Sequence, residues 1–508
     1  MRARNVVAIL AMLVVAGAAC GSRRDLSAYP YEATAQNAPA PASDTGTASA
    51  PAAAEAAAAG DTAAGDTGGP AAAAATAQAG QQPAARSGAA ASPASGPAAL
   101  ARSATPGRAA PAGSSATAAT RSAASSATPA PAPGAPAAGS PGCAPKCAPV
   151  VVGHVGTYSG VFASFANAPE GVRAWGQAVN ARGGIDGHPV KVIVAEDGGD
   201  PARHRSLVQS LVEQDRVIAF IHGFNPTTGH AAVDYLTKKG VPVVGSDPSS
   251  NWYYDSPVYF PHGSAGGKGV TKALLGATAE AAVPRGKTKM AILACNEAQV
   301  CRDVTSGMPA AAGQFGLKVV SQAQASLAQP DYTAECLAAR NAGAEIFFLA
   351  FDSQSYGRVA KSCNAVGYKP MFSLVPNVTN NIAEISEMEG AVITAVVKPW
   401  FDTTHPGIAA MHGAMKQYTP RAQPDNEASL GWTSAVLFER AATGHLSATP
   451  TSQDILNGLW SLHDETLGGL TYPLTFRSGQ NAEVKSCWWV ALIQNARFTT
   501  PTPNVKCA

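Results

Sequence analysis

The stretch NARGGIDGHPVKVIVAEDGGDPARHRSLVQSLVEQDRVIAFIHG, residues 180–223, decides the fold. It opens on Gly183, Gly184 and Gly187, which supply turn conformations that a side chain would strain, and Asp186-Gly187 suits a hairpin turn. VKVIVAED follows as a β-branched run of strand length. RHRSLVQSLVEQ then places Leu207, Val208, Leu211 and Val212 on one helical face. VIAFIHG is a second buried strand. Strand, helix and strand in this order make a parallel unit with a helix laid over the sheet. The glycines and the turn build the scaffold, and a ligand is expected elsewhere.

The same alternation extends in both directions. Before the stretch, VVVGHV reads as a strand, and PEGVRAWGQAVNAR puts Val172, Trp175 and Val179 on one helical face. After it, VPVVGSD is another buried strand. The pattern then restarts with KMAILACN, LKVVSQA, AEIFFLAFD and MFSLVPN, with helices between them. Two series of about four strands each imply two α/β lobes with parallel sheets. GAVITAVVKPW, LTYPLTF and CWWVALIQ are later strand-like pieces that must return to complete the sheets. A chain of 508 residues is too long for one core, which agrees.

The first third has a different character. Arg2 and Arg4 precede the apolar run VVAILAMLVVAGAA, shorter than the ~20 residues a spanning helix needs, so residues 1–20 read as a signal peptide. The run ends in Gly-Ala-Ala-Cys at Cys20. This resembles a bacterial lipobox, with Gly17 where Leu is usual, and makes Cys20 the expected lipidation site and membrane anchor. Residues 21–148 are a linker dominated by Ala, Pro, Ser, Thr and Gly. It has too little apolar surface to offset the entropy of ordering, so a disordered tether is expected. Its most biased part, from about Ala33 to Gly142, spans roughly 55 Å as a coil of ~110 residues. Eight cysteines besides Cys20 suit an oxidising compartment, and sequence alone leaves their pairing open. The favoured pairs are Cys295 with Cys301, Cys336 with Cys363, and Cys487 with Cys507. Net charge is +2 and only 14% of residues are charged, which argues against a nucleic-acid partner.

From about Pro149 to the C-terminus, the chain resembles the type I periplasmic binding proteins, in the branched-chain amino acid branch. The resemblance rests on Asn180-Ala-x-Gly-Gly-Ile-x-Gly, on Asp197 and Asp200-Pro201, on QPDYTAECLAARNAGAEIFFLAF, and on LTYPLTFRSGQ. It implies two Rossmann-like lobes joined by three crossovers and closing over a small molecule. Lobe 1 would comprise about 149–269 and 399–470, and lobe 2 about 270–398 and 471–508. The crossings would lie near Gly266–Gly269, Val396–Pro399 and Thr471–Phe476.

Ligands in open α/β sheets bind beyond the carboxyl ends of the strands. That rule, read with the resemblance, selects the candidate residues. Tyr158, Ser159 and Phe165 lie in GTYSGVFASF, with Phe165 where the family often sets an aromatic ring against the ligand. Thr227 and Thr228 open a helix in GFNPTTGH and match the hydroxyls that hold a ligand carboxylate. Ser246, Asp247 and Ser249 fall in GSDPSSNWYY, where Asp247 replaces a small neutral residue. The second lobe departs further. Gln299 or Val300 stands nearest the family's first tyrosine, Asp352 at the second, and Asn377 near the family's acid. The α-amino acid pocket is therefore altered, and Asp352 or Glu297 is left to meet a ligand ammonium group.

No enzyme motif stands up. GSAGGKGVTK puts His262 and Gly269 where a P-loop needs Gly and Ser or Thr, and there is no GxSxG, HExxH or GxGxxG after a strand. No cofactor and no metal site are expected. The expected protein is a monomeric substrate-binding lipoprotein of an ABC transporter, feeding an amino-acid-like or carboxylate solute to a permease. A ligand-sensing lipoprotein of the same fold, and a scaffold that has lost its ligand, are the alternatives.

Overall fold

The computed structural model describes residues 147–508 apart from His222. The expected signal peptide, the expected lipidation site at Cys20 and all but the last residues of the expected linker lie outside the described residues.

The first lobe is built on β1 (Val150–Gly156), β2 (Val190–Glu196), β3 (Ala219–Ile221), β4 (Val243–Val244) and β5 (Tyr259–Phe260). They form one parallel sheet in the order β2-β1-β3-β4-β5. Its first helices are α1 (Ala168–Ala181), α2 (Pro201–Glu213) and α3 (Val233–Lys239). α1 buries Val172, Trp175 and Val179, the face its spacing predicts. α2 begins where Asp200 accepts hydrogen bonds from the Ala202 and Arg203 N–H groups, with Pro201 in the first turn.

The second lobe starts at α4 (Gly266–Ala282), followed by β6 (Lys289–Cys295), α5 (Gln299–Ser306), α6 (Met308–Ala311) and β7 (Lys318–Ala325). α7 (Thr333–Asn341), β8 (Ile346–Ala350), α8 (Ser353–Ala365), β9 (Met371–Leu374) and β10 (Val392–Ala395) complete this series. The chain then returns to the first lobe as α9 (Pro406–Tyr418), α10 (Asn426–Ala442) and α11 (Ser452–Trp460). α9 and α10 pack on α1, and α10 reaches β3 and β4. Finally β11 (Cys487–Gln494), β12 (Arg497–Thr499) and β13 (Lys506–Cys507) rejoin the second sheet. Its order is β12-β11-β10-β9-β8-β6-β7, parallel from β10 to β7 and antiparallel at β11 and β12, with β13 paired to β11.

The chain thus crosses between lobes three times. For the third, Phe476 still stands edge-on to Phe260 of the first lobe, at 5.1 Å, and the chain enters the second sheet at Cys487. LTYPLTF, expected as a strand, makes only one bridge, Leu474 to Glu465. Pro473 within it has no N–H to give to a ladder. Cys295–Cys301, Cys336–Cys363 and Cys487–Cys507 are bonded, the three pairs favoured from the sequence, and all belong to the second lobe. Cys147 is also disulfide-bonded.

α1 and α10 approach through reciprocal glycines. A Cβ on Gly171 would stand 2.1 Å from the Ala428 carbonyl oxygen, and one on Gly431 would stand 2.5 Å from that of Ala168. Only a bare backbone allows this approach, and it sets the position of the first turn of α10. Gly171→Ala is therefore expected to cost about 1–3 kcal/mol through overpacking. Denaturant unfolding followed by circular dichroism checks this, and an unchanged midpoint would count against so tight a contact.

Candidate functional site

The carboxyl ends of both sheets face a cavity. The first lobe contributes Phe165, Phe224 after β3, and Pro248 and Ser249 after β4. From the second lobe come Val270 and Leu274 of α4, the Cys295–Cys301 disulfide, Ala298, Val300 and Val304. Leu327, Phe351 and Asp352 after β8, and Val375, Pro376 and Asn377 after β9, close the wall. Phe165 and Phe224 stack with ring centroids 3.7 Å apart. The surface is hydrophobic, and its polar side chains are Ser249, Asp352 and Asn377.

Of the residues expected from the sequence, Phe165, Ser249, Asp352 and Asn377 meet at this cavity. Ser249 gives its N–H to Asp247 Oδ1 at 2.6 Å, and its hydroxyl donates to the same oxygen. Asp352 caps α8, accepting from the Gln354 and Ser355 N–H groups at 3.3 and 3.1 Å and from the Ser355 hydroxyl at 2.5 Å. Its oxygens are therefore already engaged. Asn377 Nδ2 donates to Glu427 Oε1 at 2.8 Å.

The other candidates have different partners. Thr228 is fully buried and donates its hydroxyl to Asp197 Oδ2 at 2.7 Å. Asp197 also accepts from the Thr157 hydroxyl at 2.5 Å, His204 Nδ1 at 2.8 Å and the Gly199 N–H at 2.9 Å. Burial pushes the Asp197 carboxyl up, but these donors outweigh it and hold the group below its ordinary range. Thr227 is half-buried beside Pro226 and does not line the cavity. The Tyr158 hydroxyl lies 2.6 Å from His154 Nε2, and the Ser159 hydroxyl donates to Glu196 at 3.2 Å.

Ser246 is buried, with its N–H 3.2 Å from His262 Nδ1. Asp247 is buried behind Ser249, where the Tyr253 hydroxyl donates to it at 3.2 Å. Burial raises the Asp247 carboxyl to about 6. Glu297 is exposed and accepts from the Ser326 hydroxyl at 2.6 Å and the Leu327 N–H at 2.8 Å, so it braces the cavity wall from outside. Gln299 is exposed and bonds Asp303 and Arg302.

The cavity also contains residues that sequence reasoning passed over. Phe224 follows directly on the strand ending at Gly223, a position the strand-end rule could have selected. The disulfide wall was legible as a pair but not as a cavity surface. Glu427, behind Asn377, carries no local signal, because its partner is 50 residues away. Among the described residues, no group of three His, Cys, Asp or Glu side chains is placed to hold a metal ion, and no helix is long and apolar enough to cross a membrane.

Two lobes with parallel sheets and a cavity between their carboxyl edges define a solute-binding architecture. Residues 149–497 match the family described as periplasmic binding protein, and the chain belongs to that family, whose members are non-catalytic binders outside the cytoplasm. An amino acid binding protein of Pseudomonas aeruginosa is 30% identical over 95 residues, covering 18% of this chain and only 25% of that relative. Two solved structures share the fold. A fatty acid ABC transporter substrate-binding protein from Thermomonospora curvata has a TM-score of 0.59 at 16% identity, covering 72% of this chain and 94% of its own. A solute-binding protein of an ABC transporter from R. palustris, in complex with benzoate, has a TM-score of 0.56 at 14% identity, covering 71% and 97%.

Because Thr228 is tied to Asp197, Thr228→Val is expected to cost about 1–3 kcal/mol of stability by removing one of the donors that compensate a buried carboxylate, with ligand affinity unchanged. Thermal unfolding beside equilibrium binding separates the two effects. A loss of affinity at unchanged stability would return Thr228 to the ligand.

Proposed function

We propose that this protein is the solute-binding component of an ABC import system, held at the outer face of the membrane through Cys20. Its solute is small and largely apolar with one polar end, an aromatic or medium-chain carboxylic acid or its amide, rather than a free α-amino acid. The observation that carries this reading is the cavity wall. An α-amino acid brings an ammonium and a carboxylate, and burying either unpaired is costly. Asp352 caps α8, Thr228 gives its hydroxyl to Asp197, and among the described residues no Lys or Arg lines the cavity. What the wall offers is apolar area, worth about 25 cal/mol per Å² buried. At Ala298 the wall meets the N-terminus of α5, which has no side-chain cap and favours an anionic group. Phe165, Ser249 and Asn377 are the expected contacts. The fatty acid and benzoate binders that share the fold support this solute class and an import role.

A thermal-shift screen of the full-length chain tests the reading. Benzoate or octanoate at a thousand times its dissociation constant should add about 4 kcal/mol, whereas leucine and phenylalanine should add none. Val300→Trp, which fills the cavity from its wall, should abolish the shift. An amino acid that stabilises the chain while the acids do not would overturn the assignment. Uptake of the bound solute by cells lacking the protein should fall, and unchanged uptake would argue against import.

A further inference from the structure

Beside the cavity, two hydrogen bonds run from the second lobe to the first. Asn377 Nδ2 donates to Glu427 Oε1 at 2.8 Å, and Asn380 Nδ2 donates to the Pro424 carbonyl at 2.7 Å. Asn377 follows β9 and lines the cavity, whereas Glu427 sits in the first turn of α10 and has no exposed surface. The contact therefore joins the wall of the ligand site to the opposite lobe.

Acids surround Glu427. Asp425 caps the same helix, accepting from the Ala428 N–H at 2.9 Å and from Asn167 Nδ2 at 2.7 Å. Asp247 comes from the loop after β4, with the Tyr253 hydroxyl at 3.2 Å. Among the described residues, no Lys, Arg or His forms an ion pair with Glu427, Asp425 or Asp247. Glu427 Oε1 accepts from Asn377 and, at 3.4 Å, from Asn426, while Oε2 has no partner. The oxygen without a donor is where a carboxylic acid proton fits. Burial, and then the field of Asp425, raises the Glu427 carboxyl to about 8, with Asp247 adding to the effect.

We propose that Glu427 is a positioning residue for ligand capture: buried and protonated, it holds Asn377 across the cleft, so that closing the lobes takes up a proton. This rests on the reading that the lobes close over a solute. When the lobes part, Glu427 meets water and returns to the ordinary carboxylate range, where it ionises at neutral pH. The closed form then holds a proton that the open form has lost. Closure is strongest below the ordinary glutamate pKa, weakens as pH rises, and levels off above about 8. Asp247 and Asp425, each raised by burial to about 6, act in the same direction at lower pH.

The test is a distance measurement on the full-length chain without ligand, between spin labels on non-natural residues replacing Lys238 in the first lobe and Lys361 in the second. Between about pH 6 and about pH 9, the closed-to-open ratio should fall by up to about tenfold per pH unit, the limit for one proton. In Glu427→Gln, which keeps an acceptor for Asn377 but cannot ionise, the fall over the upper part of this range should vanish. A pH-independent ratio in the natural protein, or the same profile in Glu427→Gln, would overturn the proposal. If that variant does not fold, Asn377→Ala decides. It should lower the closed fraction at about pH 6 to the high-pH level, and an unchanged fraction refutes the proposal. Calorimetry with octanoate in two buffers of different ionisation enthalpy should show proton uptake on binding that Glu427→Gln loses. Failure of octanoate to bind would refute the solute class alone, because the ligand-free distances still decide whether Glu427 couples closure to a proton.

Discussion

The Asp197 carboxylate is the constraint on which the binding face of the first lobe depends. It is fully buried, among the described residues no Lys or Arg pairs with it, and it is kept ionised by donors from several segments. Thr157 comes from the end of β1, Gly199 from the carboxylate's own loop, His204 from α2 and Thr228 from the loop after β3. A buried charge left short of a partner is expensive, so these loops cannot move independently. Their hydroxyls point inward to Asp197, and the side chains that reach the cleft are the remaining ones, Phe165 and Phe224 among them.

That diversion explains the character of the cavity. The strand-end loops carry hydroxyls and acids, and a reader of the sequence expects a polar pocket. Asp247 orients Ser249, Glu297 holds Leu327, and Asp352 caps a helix. Polar side chains spend their capacity on backbone and neighbours, and apolar ones form the wall. The second lobe reinforces this, since the Cys295–Cys301 bond pins the start of α5, from which Val300 and Val304 reach the cavity.

Hydrogen bonds beside the cavity join the lobes. Glu427 and Asn377 meet beside the ligand site, and Asn380 binds both Pro424 and the indole Nε1–H of Trp400, the latter at 2.7 Å. Trp400 lies just past the second crossing, edge-on to Phe498 at 4.9 Å. The close packing of α1 on α10 through Gly171 and Gly431 brings Glu427 to the cleft. The small residues of one helix pair thus decide where an acid meets the other lobe.

By itself, the sequence determined the two-lobed α/β alternation and the helical faces of α1 and α2, and it favoured the disulfide pairs of the second lobe that the structure shows. These are readable because their causes are local: β-branched runs, the helical period, and cysteines close along the chain. The strand-end rule also located the loops around the cavity. Tertiary structure alone decided which side chains of those loops face the cavity. A hydroxyl such as that of Thr228 has several acceptors within reach, and the winner, Asp197, is 31 residues away. Glu427 and Asn377 are 50 apart and on different lobes, so their contact exists only once both lobes have folded and met.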